Sequence, residues 1–533
     1  MNTPWYQELV QKKYFKLFIL LLIPVFYYFY SFGNFDLAPS DDDVYFQTGL
    51  LFELPYPTFG NLLYPMGIYI FSKFFQDHIL LSYSYTFLLS VALFFSLFLF
   101  LRKNIQSFWI AIFVAMAFLF SDFQVNLQPR ITVLNLIFGL SFLSIIDLKR
   151  PAYINWGITS VGLLLCNYVS RPEFFWFFVL SSLIFAYYTF TNSFISSKRK
   201  ITVGLSFAAF VALFYFIGGG INEPGKLKVA FIQHFFDNYY DWYGKSFDYD
   251  EEFVVFEKIF GKTNSDLQLI TANPTFFFKH VLTNAKNYVS VVILILKSGF
   301  YDLFTPFFQF KTKYFFLVFI LFFGAFIDYK KTVNAILTSL KNAIKTSPYL
   351  IAFLLPTCIA VLVVYPRHHY VIMHMPLYLL LVAIFIKSIS FRKNSFTNGL
   401  PKLFSLIFIA GFFGYYPYKK AEPRHTDFYY FMKEIGTKKQ IEILSNDIFG
   451  QNYFNENYHR TGWDPKKDNL VDMLNSGNYD VLSFYFLDLE VPENRAFLKE
   501  GSLKTKMIRI KTYEPLKRYI WVKPELVGLF KNQ

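Results

Sequence analysis

Three adjacent aspartates, Asp41, Asp42 and Asp43, lie soon after the first long apolar block and are followed by Tyr45. A carboxylate at the membrane surface can deprotonate or orient an acceptor hydroxyl while the hydroxyl oxygen attacks a sugar carbon. The same acids would also interact well with a helix dipole in a first turn, and Ser40 is a good N-cap. The residues alone therefore leave two interpretations open, a catalytic carboxylate and a stabilised helix start.

Three arginines, Arg130, Arg171 and Arg367, stand beside prolines at the ends of apolar blocks. A guanidinium binds phosphate oxygens in a bidentate manner and keeps its charge, which suits it to hold an anionic leaving group. Arginine at a lipid interface can instead reach the head groups by snorkelling. Both roles remain open for each arginine taken alone.

A helix beginning near His368 would place Arg367, Tyr370 and His374 on one face, because they are spaced by three or four residues. His374 would then lie well inside an apolar span, where we expect a buried, hydrogen-bonded histidine rather than a metal ligand or a base. The eight histidines show no metal-ligand spacing such as His-Glu-x-x-His. A divalent metal on the aspartates stays open, since hard cations prefer carboxylate oxygens.

The composition shows what must hold these residues in place. Of 533 residues, 54% are apolar and 17% are charged, against about 25% charged in soluble proteins. The 72 Phe and 39 Tyr contribute to long uncharged blocks, the pattern of lipid-facing helices. The net charge of +14 comes largely from clusters beside these blocks, which orient membrane segments and attract anionic lipid, so no nucleic-acid partner is required. Cys166 and Cys358 lie inside apolar blocks, so no disulfide is predicted in water-exposed parts.

About eleven membrane spans are predicted, of about 17–25 residues or somewhat fewer where aromatic residues end a helix. They are Leu17–Phe32, Ile79–Leu101, Phe108–Phe120, Ile131–Ile146, Tyr153–Val169, Phe174–Phe190, Val203–Ile217, Tyr314–Ile327, Tyr349–Val364, Tyr370–Ile386 and Leu403–Tyr416. The first is interpreted as a retained anchor. The shorter apolar stretch Val289–Leu296 is interpreted as an interfacial or re-entrant helix that does not cross.

With the N-terminus inside, the cytoplasmic segments contain most of the lysines and arginines near apolar blocks. The short outer loops contain only Lys73, Arg130, Arg171 and Arg367. This asymmetry predicts a cytoplasmic N-terminus and an extracytoplasmic C-terminus.

The predicted fold is an all-α polytopic membrane protein with a small α/β extracytoplasmic C-terminal domain. Residues 1–417 form the membrane domain, with outer loops 33–77 and 218–313, and residues 418–533 form the C-terminal domain. The second outer loop has the pattern of short helices on the membrane surface. In the C-terminal domain we predict buried strands, a helix and a hairpin, at Ile441–Leu444 and Val481–Phe486, at Asp468–Leu474, and at Met507–Tyr513 with Arg518–Val522.

The form Asp-Asp-x-x-Tyr, here Asp41, Asp42 and Tyr45, resembles the first-loop motif of the GT-C superfamily of membrane glycosyltransferases. That superfamily includes the protein O-mannosyltransferases and the bacterial aminoarabinose transferase of lipid A. Four further stretches are similar to bacterial members, namely Asn61–Pro65, Ser170–Glu173, Asn273–His280 and Tyr365–Tyr370.

The resemblance implies a hexosyl or pentosyl donor carried on polyprenyl or dolichyl phosphate and transfer with inversion. It places the catalytic carboxylate at Asp41 or Asp42. We expect substrate-binding roles for Arg130 from its charge and outer position, and for residues within the matched stretches, namely Tyr45, Arg171, Glu173, Arg367, His368 and Tyr370. The acceptor would be a glycan, a lipid or a protein, and the location a bacterial inner membrane with its lipids around the chain. Chemistry from the residues agrees, because a phosphate leaving group needs little protonation and the site then requires one base and cationic groups.

Two other classes remain alternatives. A ligase or polymerase of lipid-linked polysaccharide would also use outer arginines, but would lack the acid pair and the terminal domain. A lipid-linked sugar transporter or flippase would usually place ionisable groups within its spans, which here are almost free of them. Trp242 and Tyr243 could stack on a sugar, although aromatic residues at a membrane–water interface more often anchor the chain there.

Overall fold

The computed structural model of the chain describes most of the sequence in separate stretches. These are residues 13–37, 41–53, 62–121, 124, 130–169, 173–218, 226–244, 249–263, 266–304, 327–390, 425–436, 440–445, 453, 458–462, 479–485, 507–513 and 518–528. Two compact units are present. Unit 1 contains Met1–Ser31, Phe52–Met66 and Thr86–Tyr418, and unit 2 contains Phe32–Leu51, Gly67–Tyr85 and Lys419–Gln533. The predicted domain boundaries 1–417 and 418–533 stay predictions.

The described part of the chain is mostly helical. Its α-helices are Lys13–Asn34, Asp41–Leu50, Leu63–Ser72, His78–Ile105, Phe108–Leu119, Ile131–Ile145, Ala152–Asn167, Phe174–Thr191, Ser197–Ile217, Lys226–Tyr243, Tyr249–Phe260, Asp266–Ala272, Pro274–Phe304, Tyr329–Ile344, Ser347–Val363, His368–Val371, Met375–Ser388 and His425–Gly436. Short 3₁₀ segments lie at Ile372–His374 and Pro524–Leu526.

Five helical stretches among the described residues are long and apolar enough to cross a membrane. They are Lys13–Phe32, His78–Ile105, Phe174–Thr191, Ser197–Ile217 and His368–Ser388. Four other predicted spans are helices of 12 to 17 residues at Phe108–Leu119, Ile131–Ile145, Ala152–Asn167 and Ser347–Val363. Most of Tyr314–Ile327 and all of Leu403–Tyr416 lie outside the described residues. A mostly helical chain with several membrane-length helices is confirmed, and the count of eleven stays a prediction.

Val289–Leu296 is not a separate short helix, because it belongs to the helix Pro274–Phe304, which has 31 residues. That this stretch does not cross the membrane stays a prediction. The residues before it, such as His280 and Asn284, are polar but lie within the same helix, because no proline or glycine interrupts it before Gly299. The other described parts of the second outer loop are mostly helical, and their predicted position on the membrane surface stays a prediction. The first outer loop contains two helices, Asp41–Leu50, which begins with the acid triplet, and Leu63–Ser72, which includes the end of the Asn61–Pro65 motif.

Two details of packing in unit 1 fit a membrane environment. The helix Ser197–Ile217 has no buried residue, although it carries large apolar side chains such as Leu205 and Phe216. A helix that is apolar and exposed all round is suited to lipid rather than to water. Elsewhere, a Cβ atom added at Gly139 would collide with the ring of Phe353, so the helices Ile131–Ile145 and Ser347–Val363 approach closely at a small residue, as membrane helices often do.

A five-stranded sheet lies in unit 2. Its strands are β1 (Ile441–Ser445), β2 (Tyr458–Gly462), β3 (Val481–Tyr485), β4 (Ile508–Tyr513) and β5 (Arg518–Val522), in the order β2-β1-β3-β5-β4. β1 pairs in parallel with β2 and β3, and β5 pairs antiparallel with β3 and β4. The predicted strands and hairpin are confirmed. β2 was not predicted, and the helix predicted at Asp468–Leu474 lies outside the described residues.

Segments distant in sequence are joined in unit 2 by two aspartates. Asp36 accepts hydrogen bonds from the backbone N–H and the hydroxyl of Thr426, at 2.9 and 3.1 Å, near the start of the helix His425–Gly436. Asp77 accepts from the backbone N–H groups of Ile79 and Leu80 and forms an ion pair of 2.5 Å with Lys433. The region after the first apolar helix is thus attached to the same unit as the sheet.

Candidate functional site

The acid triplet occupies the first turn of a helix. The helix begins at Asp41, and Thr48 and Val44 form a hydroxyl-to-carbonyl bond of 2.6 Å in its second turn. Tyr45 lies four residues after Asp41 and three after Asp42, so both positions are one turn from it, whereas Asp43 is not. Ser40, the predicted N-cap, lies outside the described residues. The helix start is therefore confirmed, and the catalytic role of the acids stays a prediction.

Arg130 lies in the interior of unit 1. It is 2% exposed, stands directly before the helix Ile131–Ile145, and donates from Nη1 to the backbone oxygen of Gln124 at 2.7 Å. The side chains of Gln124 and Asn135 are fully buried, and neither amide has a hydrogen-bond partner among the described residues. A buried polar group without a partner costs about 1–3 kcal/mol. This end of the helix is thus polar and is suited to bind oxygen-rich groups.

Glu173 lies near the helix Ile131–Ile145. It lies close enough to Cys166 for their charges to interact, and the Cys166 thiol donates to the backbone oxygen of Asn135 at 3.6 Å. Glu173 is half-buried and stands before the helix Phe174–Thr191. Its neighbour Arg171 lies outside the described residues. Cys166 therefore connects Glu173 with Asn135, which belongs to the helix that Arg130 precedes.

The predicted single face of Arg367, Tyr370 and His374 is wrong. Arg367 is exposed, Tyr370 is half-buried and His374 is 2% exposed, because the helix stops at Val371 and a 3₁₀ turn follows. Pro376 explains the break, since its ring would clash with the carbonyl group four residues earlier in a continuous helix. A 3₁₀ turn has three residues per turn, so His374 is rotated away from the predicted face.

The expected state of His374 is confirmed. Its Nε2 lies 2.8 Å from the hydroxyl of Thr357, and Tyr288 packs edge-on against the ring with centroids 5.4 Å apart. His368 is exposed, and Tyr370 packs against His369 with ring centroids 4.2 Å apart. The two predicted binding residues after Arg367 therefore lie nearer the surface than His374 does.

Arg367 belongs to a group of charged residues that the sequence did not reveal as a group. It acts on Tyr365 together with Asp237 and Asp241, which are one turn apart on the helix Lys226–Tyr243. Burial and then the two carboxylates raise the pKa of Tyr365, while Arg367 lowers it. Tyr365 therefore stays protonated at neutral pH and can donate a hydrogen bond.

A buried polar network lies beside this group. His280 is fully buried, and its Nε2 lies 3.1 and 3.0 Å from the backbone oxygens of Val363 and Val364, where the helix Ser347–Val363 ends. Asn238 lies 2.9 Å from His280 Nδ1 and donates to Asn284 at 2.8 Å. Since the carbonyl oxygens only accept, Nε2 carries the proton and Nδ1 accepts from Asn238. The network satisfies carbonyl groups that a helix end leaves without partners.

Burial lowers the pKa of His280 to about 4, and hydrogen bonds to the two carbonyl oxygens oppose this only in part. The histidine is therefore neutral at pH 7. The stretch Asn273–His280, which resembles a family motif, therefore ends at a histidine whose hydrogen bonds hold two helices together. Asn273 itself accepts a hydrogen bond from the backbone N–H of Phe276 at the start of the long helix.

Trp242 joins two helices, and its roles in stacking on a sugar or anchoring the chain at the interface stay predictions. Its indole N–H donates to Thr283 at 3.2 Å, and the Lys279 ammonium lies 4.1 Å from its ring centroid and 4.7 Å from that of Tyr243. Cation–π contacts of this type stabilise by about 0.5–1 kcal/mol at exposed sites. Lys279 therefore covers both aromatic rings and joins the helices Lys226–Tyr243 and Pro274–Phe304.

Within the described stretches, no group of three His, Cys, Asp or Glu side chains could hold a metal ion. In comparisons with known proteins, no family model, no curated protein and no solved structure matches the chain.

Proposed function

We propose that the chain is a GT-C-like membrane glycosyltransferase that transfers a sugar from polyprenyl or dolichyl phosphate to an acceptor hydroxyl outside the cytoplasm. The observation that carries the proposal is the helix Asp41–Leu50, which opens with three acids shortly after the membrane-length helix Lys13–Asn34 ends. Carboxylates on a helix that follows a membrane-length helix in the sequence support a substrate carried by a membrane lipid. In this proposal the chain crosses the membrane eleven times, with its N-terminus in the cytoplasm of a bacterium.

The proposed reaction needs one base and one anion-binding group. The carboxylate of Asp41 or Asp42 takes the proton of the acceptor hydroxyl, and the oxygen attacks the anomeric carbon. The bond between that carbon and the phosphate oxygen breaks, and the carrier leaves as a phosphate whose charge needs no added proton. Attack from the opposite face inverts the configuration of the sugar.

The arginines supply the anion-binding role in the proposal. Arg130 supports it best, because its guanidinium is buried beside the backbone of Gln124, near the buried side-chain amides of Gln124 and Asn135. The amides of Gln124 and Asn135 would gain partners from phosphate or sugar oxygens, which offsets the cost of burying them. Arg171 and Arg367 would contact the same class of ligand, together with Glu173 and the more exposed His368 and Tyr370.

The decisive experiment compares three single substitutions in the first turn of the helix. Asn has nearly the shape of Asp and still caps a helix, so folding is preserved while the base is removed. Asp41→Asn or Asp42→Asn should lower transfer by about 10²–10⁴-fold, and Asp43→Asn, the matched control, should have much less effect. Purified protein would be assayed for release of polyprenyl phosphate from a panel of polyprenyl-phosphate sugars, with expression and donor binding measured alongside.

Full activity in both the Asp41→Asn and Asp42→Asn variants would refute the proposed mechanism. The same assay separates the alternatives. A transporter or flippase would move the sugar lipid between leaflets without releasing polyprenyl phosphate. A polysaccharide ligase or polymerase would retain its activity when the acid pair is replaced.

A further inference from the structure

A histidine and an aspartate on the helix Lys226–Tyr243 form a pair in unit 1. His234 Nδ1 lies 2.8 Å from Asp237 Oδ2, and the two residues are three apart, so they are neighbours on the helix surface. The imidazole side chain is 4% exposed and the carboxylate 45% exposed. The imidazole is thus almost completely buried, and the aspartate lies at the surface.

The hydrogen bond to Asp237 determines which ring nitrogen of His234 is open. An ionised carboxylate only accepts, so Nδ1 carries a proton, and in the neutral ring Nε2 has a free lone pair. In the described part of the chain, Nε2 has no hydrogen-bond partner, and it is not among the enclosed polar atoms. The small exposed part of the ring therefore includes its basic nitrogen.

The ring has a fixed orientation. Tyr365 stacks on it with centroids 5.5 Å apart and an angle of 22° between the planes. A carboxylate at one nitrogen and an aromatic ring on one face are the constraints that hold a catalytic imidazole in place and stabilise it once it takes a proton. A simple surface ion pair needs neither a buried ring nor an open second nitrogen.

We propose that His234 and Asp237 form a binding site for a hydroxyl-bearing ligand such as a sugar, in which Nε2 of His234 accepts a hydrogen bond from a ligand hydroxyl. Asp237 accepts the Nδ1 proton and so keeps the lone pair of Nε2 directed at the ligand. The inference uses no residue of the acid triplet, but it shares Arg367 with the donor-binding residues proposed above.

The neighbouring groups favour a ligand with many hydroxyls. Asp241 and Arg367 act on the same Tyr365 as Asp237, and both are exposed. Carboxylates accept hydrogen bonds from hydroxyls, a guanidinium donates them, and the protonated Tyr365 does both. The pKa of Glu252 is raised, first by burial and then by the nearby carboxylate of Asp237. On the buried side, His280 interacts electrostatically with both His234 and Asp237.

The test is chemical labelling of the full chain in detergent with diethyl pyrocarbonate, which reacts with an unprotonated, accessible imidazole nitrogen. The labelled positions are identified by mass spectrometry between pH 5 and 8. The chain contains its own controls. His459 forms a comparable pair with Glu442, at 2.8 Å, but its side chain is 70% exposed, so it should be labelled rapidly. His280 is fully buried with both nitrogens bonded and should stay unlabelled near neutral pH.

We expect labelling of His234, more slowly than of His459. Asp237→Asn should lower the rate of labelling at His234 several-fold at pH 7, because an amide can donate to Nδ1 and move the ring proton to Nε2. Asp241→Asn is the matched control, since it removes an acid one turn along the helix that does not bond to His234, and it should have much less effect. An unlabelled His234 in a sample in which His459 reacts, or equal labelling rates of His234 in wild type and Asp237→Asn, would overturn the proposal.

The class of ligand is tested in the same assay. Neutral monosaccharides from a panel should slow the labelling of His234 several-fold and leave that of His459 unchanged. Protection by inorganic phosphate and by none of the sugars, or by neither, would overturn the assignment of a hydroxyl-bearing ligand. Since no sugar transfer is measured, a negative result here is distinct from a failure of the glycosyltransferase proposal.

Discussion

Acid should destabilise unit 1 through His280, and the structure gives the size of the effect. Protonation would turn Nδ1 into a donor that faces the Asn238 amide, itself a donor at 2.9 Å. Asn238 could accept only by turning its amide, and it would then lose its bond to Asn284. Because burial lowers the folded-state pKa to about 4 from an ordinary 6.5, the unfolded chain takes up the proton first as the pH falls.

The sign and the pH window follow from these two pKa values. Stability from a neutral His280 is fully present above about pH 6.5 and is lost as the pH falls toward 4. At about 1.4 kcal/mol for each unit of pKa, the whole loss is about 3 kcal/mol, of which about 2 kcal/mol is lost by pH 4.5. Other groups titrate in the same range, so a matched variant is required to isolate the contribution of His280.

His280→Gln serves as that variant, because an amide can donate and accept but does not titrate. The free energy of unfolding would be measured by chemical denaturation in mixed micelles at pH 7 and pH 4.5. Wild type should lose about 2 kcal/mol more than the variant between these pH values. Equal losses in the two proteins would refute the reasoning, because His280 would then titrate alike in the folded and unfolded chains.

Three further predictions concern other parts of the chain. Arg367→Lys keeps the charge but loses the bidentate fork, so it should weaken binding of a polyprenyl-phosphate sugar, whereas lipid snorkelling predicts no change in a donor-binding measurement. Asp77→Asn keeps the helix cap but removes the ion pair with Lys433, in which both side chains are 31% exposed. The free energy of unfolding should fall by about 0.5–1 kcal/mol in chemical denaturation, and an unchanged value would argue against the ion pair. Cysteines placed at Ser40 and Ser502 should be labelled from the same, non-cytoplasmic face, and labelling from opposite faces would contradict the eleven-span topology.

Local patterns predicted the elements that depend on nearby residues. Ser40 and the acids after it indicated a helix start, and the helix begins at Asp41. The stretch Ile441–Leu444, apolar except for Glu442, indicated a buried strand and forms an interior strand of the sheet. β2 could not be recognised, because Tyr-His-Arg-Thr-Gly has no alternation of apolar and polar residues. It is a strand because the buried β1 offers its edge, which is a property of the tertiary structure.

The candidate sites were predicted in part for the same reason. Arginines at helix ends were visible in the sequence, but a proline four residues beyond Ile372 changed which residues share a face with Arg367. The His234–Asp237 spacing of three was also visible, although nothing marked its open nitrogen. The partnership of Asn238 with His280 spans 42 residues and depends on how two helices pack, so no local pattern could indicate it.

The discontinuous make-up of unit 2 affects the order in which a ribosome can complete it. Asp36 and Thr426 bond across 390 residues of sequence, and Phe46 stacks on Tyr453 with ring centroids 5.4 Å apart. Because chains emerge from the N-terminus at about 5–20 residues per second, the acidic helix Asp41–Leu50 must wait tens of seconds for the partners that fix it. Unit 2 therefore cannot be completed until nearly the whole chain has been synthesised, whereas most of unit 1 lies between its two halves in the sequence.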